Sequence, residues 1–325
     1  MTKYGLTLSS EEHAPAQLVE IAVAAEEAGF DFLSISDHFH PWTSVQGHRP
    51  FVWTVLGEIA QETDRIEVGV GVSCPIMRIH PAIYAHAAAT TAAIFEDRFV
   101  WGVGTGEALN EHILGDRWPP AGERLEMLEE AIELIRKLWE GDDVTHRGTY
   151  FTVEDARLFD LPDHPVPLLV SAFGEQSARL AALSGDGLWT TGIPGDVIEA
   201  YHAAGGDGTI WSQLSLCWDV DRERALDRAH RVWANTGLPG QLAQELRTVE
   251  HMEQAMSLVT RDLISDSLPL GPDPEPILKS IAEAEDAGVD HVYLHQVGDP
   301  LDGFIDFWIE SIRPRLSVPA SSSGS

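Results

Sequence analysis

Strand-like runs and helical periodicities alternate about eight times along this chain, and that alternation constrains the fold more than any other feature. Lys3 to Leu8 reads as a first strand. Ala14 to Glu27 then places Leu18, Ile21, Ala22 and Ala25 on one helical face, and Gly29 stops it as a C-terminal cap. Further strands are predicted at 31–36, 65–72, 99–103, 165–171, 186–190, 209–218 and 290–295. Helices are predicted between them at 54–62, 81–95, 121–140, 175–184, 195–204, 222–234 and 275–287, with a closing helix at 301–312. Residues 141–165 read as an insertion holding a short hairpin (143–146 and 148–152), and 235–272, rich in turn residues, as a second one. Repeated strand-then-helix units make a parallel sheet with buried strands, either open and doubly wound or closed as a barrel. An open sheet should show a glycine-rich fingerprint after its first strand, and Leu6-Thr-Leu-Ser-Ser-Glu11 has none. Glycine and polar residues instead recur at the ends of many strands, as one barrel face requires. The predicted fold is α/β: a single (β/α)8 TIM barrel over 1–316 with insertions near 141–165 and 235–272, and a disordered tail at 317–325.

Charge narrows the partners. Fifty-two acidic residues face 21 basic ones, of which only Lys3, Lys137 and Lys279 are lysines, and the net charge is −31. Nucleic acid and anionic membranes would both repel such a surface. Few lysines among many acids also suit a protein working in concentrated salt, which screens self-repulsion. No apolar run is long enough to cross a bilayer, and the N-terminus enters a strand pattern without a leader-like apolar region. Cys74 and Cys217 are spaced for neither metal nor a disulfide framework. A cytoplasmic enzyme with a small-molecule substrate is the expectation.

Chemistry concentrates in Ser36-Asp-His-Phe-His-Pro-Trp42, just past a predicted buried strand and just before Gly47-His-Arg-Pro-Phe51. A neutral histidine beside a carboxylate can move a proton near pH 7. The same residues also suit a turn capped by Asp37 whose aromatics only pack, and taken alone they leave both readings open. Gly102-Val-Gly-Thr-Gly-Glu-Ala-Leu-Asn110 ends the fourth strand, with glycines open to a close ligand and Glu107 able to face the barrel mouth. Gly69-Val-Gly-Val-Ser-Cys-Pro75, Ser171-Ala-Phe-Gly-Glu-Gln-Ser177 and Trp189-Thr-Thr-Gly192 are the other strand-end stretches. Gly174 opens a helix whose backbone N–H groups suit an anion, or it is only a tight turn. His80, His86, His112, His146, His164 and His202 read as surface or helix residues; His295, at the end of the last strand, could line the pocket. Trp139 and the leucines of 125–138 suit core packing or a dimer face. No spacing suggests a metal site.

Ser36-Asp-His-Phe-x-Pro-Trp42 with Gly47-His-x-Pro-Phe51, then Thr105-Gly-Glu-Ala-Leu-Asn-Glu111, Glu11-x-x-Ala-Pro15 and Gly185-Asp-Gly187, together resemble the coenzyme F420-dependent glucose-6-phosphate dehydrogenase family. That family belongs to the luciferase-like flavin and deazaflavin barrels, and the resemblance runs along nearly the whole chain. It implies the deazaflavin coenzyme F420, hydride transfer from an alcohol carbon, and a homodimer. It implies His38 and Glu107 as the acid–base pair, His38 on the substrate oxygen and Glu107 serving the ring, with Trp42 covering the site and Glu11 close by. Asp37, Cys74, Thr105, Gly106 and Asn110 would contact the coenzyme, as would Phe173, Gly174, Gln176 and Ser177. A cis peptide at Gly71-Val72 would buttress the ring. Thr191, Trp42 and His295 are the candidate substrate contacts.

One departure stands out. The family's sugar-phosphate enzymes hold phosphate with two lysines and an arginine, and the corresponding positions here are Pro194, Gln254 and Ser267. A dianion needs cationic partners, and Arg49, Arg78, Arg117 or Arg261 would have to supply them. The expected donor is the alcohol carbon of a sugar, a sugar phosphate or a secondary alcohol, and the missing cations count against glucose 6-phosphate itself. The rivals are an FMN-dependent monooxygenase on the same barrel, which oxygen uptake would reveal, and a protein that binds the coenzyme without catalysis, which retention of His38, Trp42 and Glu107 together disfavours.

Overall fold

The computed structural model describes residues 2–316; the tail expected at 317–325 lies outside the described residues. Strands are β1 (Lys3–Leu8), β2 (Phe32–Ile35), β3 (Glu67–Ser73), β4 (Phe99–Val103), β5 (Val144–Arg147), β6 (Thr152–Ala156), β7 (Leu168–Ser171), β8 (Gly187–Thr191), β9 (Thr209–Leu216) and β10 (His291–Gln296). The helices over the first half are α1 (Pro15–Ala28), α2 (Val52–Glu62), α3 (Pro81–Phe95), α4 (Ala108–Glu111) and α5 (Ala121–Trp139). Those that follow are α6 (Glu175–Ser184), α7 (Gly195–Ala203), α8 (Arg222–Val232), α9 (Leu242–Glu245), α10 (Val249–Met256), α11 (Arg261–Ser267), α12 (Glu275–Asp286), α13 (Leu301–Phe307) and α14 (Arg313–Leu316). β1, β2, β3, β4, β7, β8, β9 and β10 pair in that order, all parallel, and β10 closes on β1. The expected barrel is the observed one.

Two apolar layers hold it. The outer layer packs strand residues such as Leu33, Val68 and Leu168 against helix residues such as Leu18, Leu56 and Ile132. The inner layer fills the barrel with Phe32, Val100, Leu169, Trp189, Trp211 and Tyr293. Trp189 stacks on Trp211 with ring centroids 4.8 Å apart, and its Nε1–H donates to the Tyr293 hydroxyl at 2.6 Å. Burying an indole of this size contributes roughly 4–6 kcal/mol of transfer free energy as an upper bound. That ring also bears on the glycines. A Cβ at Gly71 would lie 2.2 Å from Trp189, Gly69 is crowded by the same side chain, and Gly102, read above as open to a ligand, is crowded by Val72, Val70 O and then Trp189. All three leave room for packing inside the barrel.

The first insertion holds the expected hairpin, shifted: its second strand is Thr152–Ala156 rather than 148–152. Glu130 on α5 explains the shift. Its carboxylate accepts the backbone N–H groups of Thr149, Tyr150 and Phe151, so those residues turn around it instead of pairing. Residues 235–272 hold α9 to α11, whose Met252, Met256 and Ile264 share a buried cluster with Leu226, Ala229 and Leu109. The Gly29 cap is as expected, at φ 79°. The Trp139 stripe is core: Leu128, Ile132, Ile135 and Leu138 are buried, and Trp139 Nε1 donates to Ala85 O at 3.0 Å, locking α5 to α3. The closing helix is interrupted by a π-helical turn over Trp308–Ile312.

Candidate active site

The loops beyond the C-terminal ends of the barrel strands surround a cavity of about 990 Å³. His38, Trp42, Glu11 and Glu107 line it, with Gly71, Val72, Thr105 and Gly106 along one wall. Phe173, Gly174, Gln176 and Ser177 line the stretch where α6 begins, and Thr191 and His295 line a further part. Residues far apart in sequence therefore meet because the parallel barrel aims every strand end at one face. The Gly71-Val72 peptide is cis, as the resemblance implied.

The reactive core is His38. Its Nδ1 lies 3.1 Å from Glu11 Oε1 and its Nε2 lies 3.8 Å from Glu107 Oε2. Nδ1–H donating to a carboxylate leaves the Nε2 lone pair toward Glu107 and the cavity. The ring meets Trp42 edge-on at 5.2 Å, and Trp42 is itself held by a turn in which Gln46 Oε1 accepts the N–H groups of Trp42 and Thr43. Burial alone would raise the Glu11 pKa, but the Arg49 charge and the hydrogen bonds from His38 and Ser36 outweigh it and hold the carboxyl well below its ordinary range. Glu107 takes a weak hydrogen bond from Asn110 Nδ2 at 3.4 Å.

Three residues expected to touch the coenzyme are not among those lining this cavity. Asp37 points away from the cavity, where Ser73, Tyr84, Trp53 and Arg78 all donate to its carboxylate. Burial opposes ionisation there, yet Arg78 and these hydroxyls prevail and keep its pKa low. Cys74 is buried under Gly106, where a Cβ would lie 2.6 Å from its sulfur, and burial pushes its thiol pKa up. Asn110 is fully buried and spends its Oδ1 on the N–H groups of Phe39 and His40, which shapes the loop carrying His38. All three frame the cavity from behind.

Basic groups are scarce in the cavity. Arg124 is the one Lys or Arg among its lining residues, and it is committed to Pro119 O, to Glu245 and to the face of Trp118. Arg124 continues the apolar stripe of Leu128 and Ile132, and a charge on such a stripe was a signal that sequence reasoning passed over. None of the arginines weighed as phosphate ligands lines the cavity. Arg49 sits behind Glu11, Arg78 pairs with Asp37 and Glu111, Arg117 pairs with Glu123, and Arg261 pairs with Glu223 and Asp227. Ser267 does line the cavity, whereas Pro194 caps α7 and Gln254 bonds Glu250. His295 has its pKa lowered to about 4 by burial, against the pull of Glu11, so it is neutral near pH 7. It contacts Ser215 Oγ at 3.4 Å and the ring of Trp233. Gln213, Ser215 and Trp233 were missed in the sequence, although Gln213 and Ser215, two apart near the end of a strand, share one face there and are a legible sign of a lined pocket.

Comparison with known proteins now has a geometry to meet. The model of the luciferase-like monooxygenase family matches residues 1–291. The F420-dependent glucose-6-phosphate dehydrogenase of Amycolatopsis mediterranei is 35% identical, over 97% of this chain and 99% of its own. Its counterpart from Segniliparus rotundus is also 35% identical, over 97% and 98%. The chain belongs to this luciferase-like family, in its F420-dependent dehydrogenase group. A solved F420-dependent secondary alcohol dehydrogenase, in complex with an F420-acetone adduct, superimposes with a TM-score of 0.89 at 31% identity, covering 96% of this chain and 98% of that one. The family's barrel is the fold seen here, with His38 and Glu107 facing each other across its mouth.

Proposed function

We propose that this protein is a coenzyme F420-dependent dehydrogenase that oxidises an uncharged alcohol, a secondary alcohol or free sugar, rather than a sugar phosphate. The observation that carries the substrate class is the lining of the cavity. Glu11 and Glu107 line it beside His38, the one guanidinium among its lining residues is bonded to Glu245, and His295 is neutral. A phosphate dianion would meet carboxylates without a cation to offset them. The alcohol dehydrogenase likeness supports the same class.

The residues present fit the coenzyme. The cavity is large enough for a tricyclic ring, and a Cβ at Gly174 would meet nothing within 4 Å, so the start of α6 is open to a ligand's anionic end. Gly71, Val72, Thr105 and Gly106 would hold the ring side, and Phe173, Gly174, Gln176 and Ser177 the side chain. When bound, the coenzyme supplies a carbon that accepts hydride without activating oxygen. The protein's own part is proton handling and exclusion of water. His38 Nε2 takes the hydroxyl proton as the carbinol becomes a carbonyl, with Glu11 steadying the imidazolium through Nδ1. Glu107 serves the ring side, and Trp42 covers the pair. Thr191 and His295 contact the donor with Trp42.

Three further properties belong to the same reading. The stretch 1–316 forms one domain with two insertions; the protein pairs as a homodimer; and its acidic surface is adapted to concentrated salt in the cytoplasm, with neither nucleic acid nor membrane as a partner. Among the described residues no helix is long and apolar enough to cross a membrane.

The deciding experiment is anaerobic bleaching of F420 absorbance in salt, with secondary alcohols, free sugars and glucose 6-phosphate in parallel. Bleaching by an uncharged donor, lowered about 10²–10⁴-fold by His38→Asn, is the expected result. Bleaching by the sugar phosphate alone would overturn the substrate class. Oxygen consumption with FMN in place of bleaching would point to a monooxygenase.

A further inference from the structure

The reaction described above gives no task to the buried guanidinium behind the catalytic pair. We propose that Arg49 is a positioning residue: it keeps Glu11 a carboxylate, and Glu11 in turn fixes the His38 proton on Nδ1 so that the Nε2 lone pair faces the cavity. This rests on the reading that Nε2 is the working atom of His38.

Arg49 does not line the cavity, and its side chain is 3% exposed. Its Nη1 lies 3.2 Å from Glu11 Oε1 and 3.1 Å from Ser36 Oγ, and donates to Ser10 Oγ as well. Its Nη2 donates to the Ser36 carbonyl, so the guanidinium is anchored just past the end of β2 while it faces the loop after β1. One oxygen of Glu11 thus collects Arg49, Ser36 Oγ at 2.8 Å and His38 Nδ1 at 3.1 Å. The remaining ionisable surroundings do not replace Arg49. Glu12 adjoins Glu11 on its own turn, Asp37 follows Ser36, and Glu107 stands beyond His38. His13 and His295 feel Glu11, but burial keeps both inclined to the neutral form, and Arg78 is committed to Asp37 and Glu111. Burial also pushes Glu12 up to about 7, with the Glu11 charge as the second cause.

The chemical consequence is definite. A buried carboxyl with acidic neighbours and no guanidinium takes up a proton at a higher pH. A protonated Glu11 can donate an O–H to Nδ1, and the neutral imidazole then carries its hydrogen on Nε2. The atom that should accept the substrate proton is lost as a base. Arg49 therefore acts on catalysis through two side chains without touching substrate.

Two measurements test this. The first is ¹⁵N NMR of the His38 ring in the protein without substrate, assigned with His38→Asn: hydrogen on Nδ1 is expected, and hydrogen on Nε2 would overturn the proposal. The second compares kcat/KM against pH for the native protein, Arg49→Met and Arg49→Lys. Arg49→Met should gain an acid-side ionisation, losing roughly tenfold per pH unit below it and recovering toward alkaline pH, while Arg49→Lys keeps the native acid side. The comparison is made in a Glu12→Gln background, because Glu12 titrates at about 7 and responds to the charge of Glu11. A loss in Arg49→Met that is the same at all pH values would mean a structural role only and would sink the idea. If Arg49→Met does not fold, the NMR tautomer and Arg49→Lys still decide. Because the tautomer is read without turnover, it stays informative even if no alcohol bleaches F420, an outcome that would instead count against the proposed function.

Discussion

At the scale of single residues, Asp37 shows how a motif residue can matter without meeting a ligand. It is 2% exposed and accepts hydrogen bonds from Ser73, Tyr84, Trp53 and Arg78. Asp37→Ala leaves the buried Arg78 with Glu111 as its one carboxylate partner, and removing one member of such a pair costs about 3–5 kcal/mol. Urea unfolding should show that loss. Unchanged stability with coenzyme affinity lost would return Asp37 to the role of a direct contact. The pH dependence has a definite sign. The folded pKa of Asp37 lies below its unfolded value, near ~3.9, so its stabilisation is complete above that value and is lost as pH falls through the folded pKa. The variant should show a shallower acid limb. His38, Glu107, Trp42 and Glu11 were readable as candidates through the family resemblance of the motifs around them, since the 36–42 run taken alone also suited a capped turn. The sequence could not separate Asp37 from His38, because neighbouring residues leave a strand end on opposite sides and only the fold says which side is the cavity. Arg49 was equally hidden: an arginine in a loop looks like a phosphate ligand until Glu11 is seen in front of it.

At the scale of elements, strand and helix periods gave the order of the barrel, and the errors fall where a distant side chain overrides local preference. Glu130 moved a hairpin strand by capturing three backbone N–H groups, and Gly102, apparently open to a ligand, is packed against Val72 and Trp189. Neither effect is local in sequence, so no window of residues contains it. The α2–α3 pair carries a similar non-local signal. A groove of about 290 Å³ between them is lined by Trp53, Gly57, Ile83, His86, Thr90 and Ile94 among others, and Ile83 is 62% exposed. No acidic residue lines it, although the chain carries 52. A charge-free apolar strip on so acidic a surface is where a second copy could pair without bringing carboxylates together. Ile83→Glu should therefore shift sedimentation from dimer to monomer while leaving the monomer's melting cooperative. A native protein that sediments as a monomer in salt would remove the dimer from the proposal.

At the scale of the whole molecule, charge and fold pull against each other. The buried framework is ordinary: aromatic layers inside the barrel and aliphatic layers outside it. The surface is not, because 21 basic residues offset 52 acids and several of the basic ones are spent inside, as Arg49, Arg78 and Arg124 are. Exposed carboxylates therefore face one another across distances that dilute buffer does not screen. Screening lengths fall from about 30 Å at 0.01 M to about 3 Å at 1 M, so added salt should relieve most of this repulsion. The melting temperature is expected to rise steeply with potassium chloride and then level off once charges are screened. An excluded osmolyte such as sucrose strengthens apolar burial but screens nothing, so it should not reproduce that saturating rise. The catalytic carboxylates provide an internal control. Glu11 is held as a carboxylate by burial among Arg49, Ser36 and His38 rather than by ions, so the His38 tautomer read by ¹⁵N NMR should stay in place while stability climbs with salt. Full stability in dilute buffer, with no rise on adding salt, would show that the acidic surface is no adaptation to it.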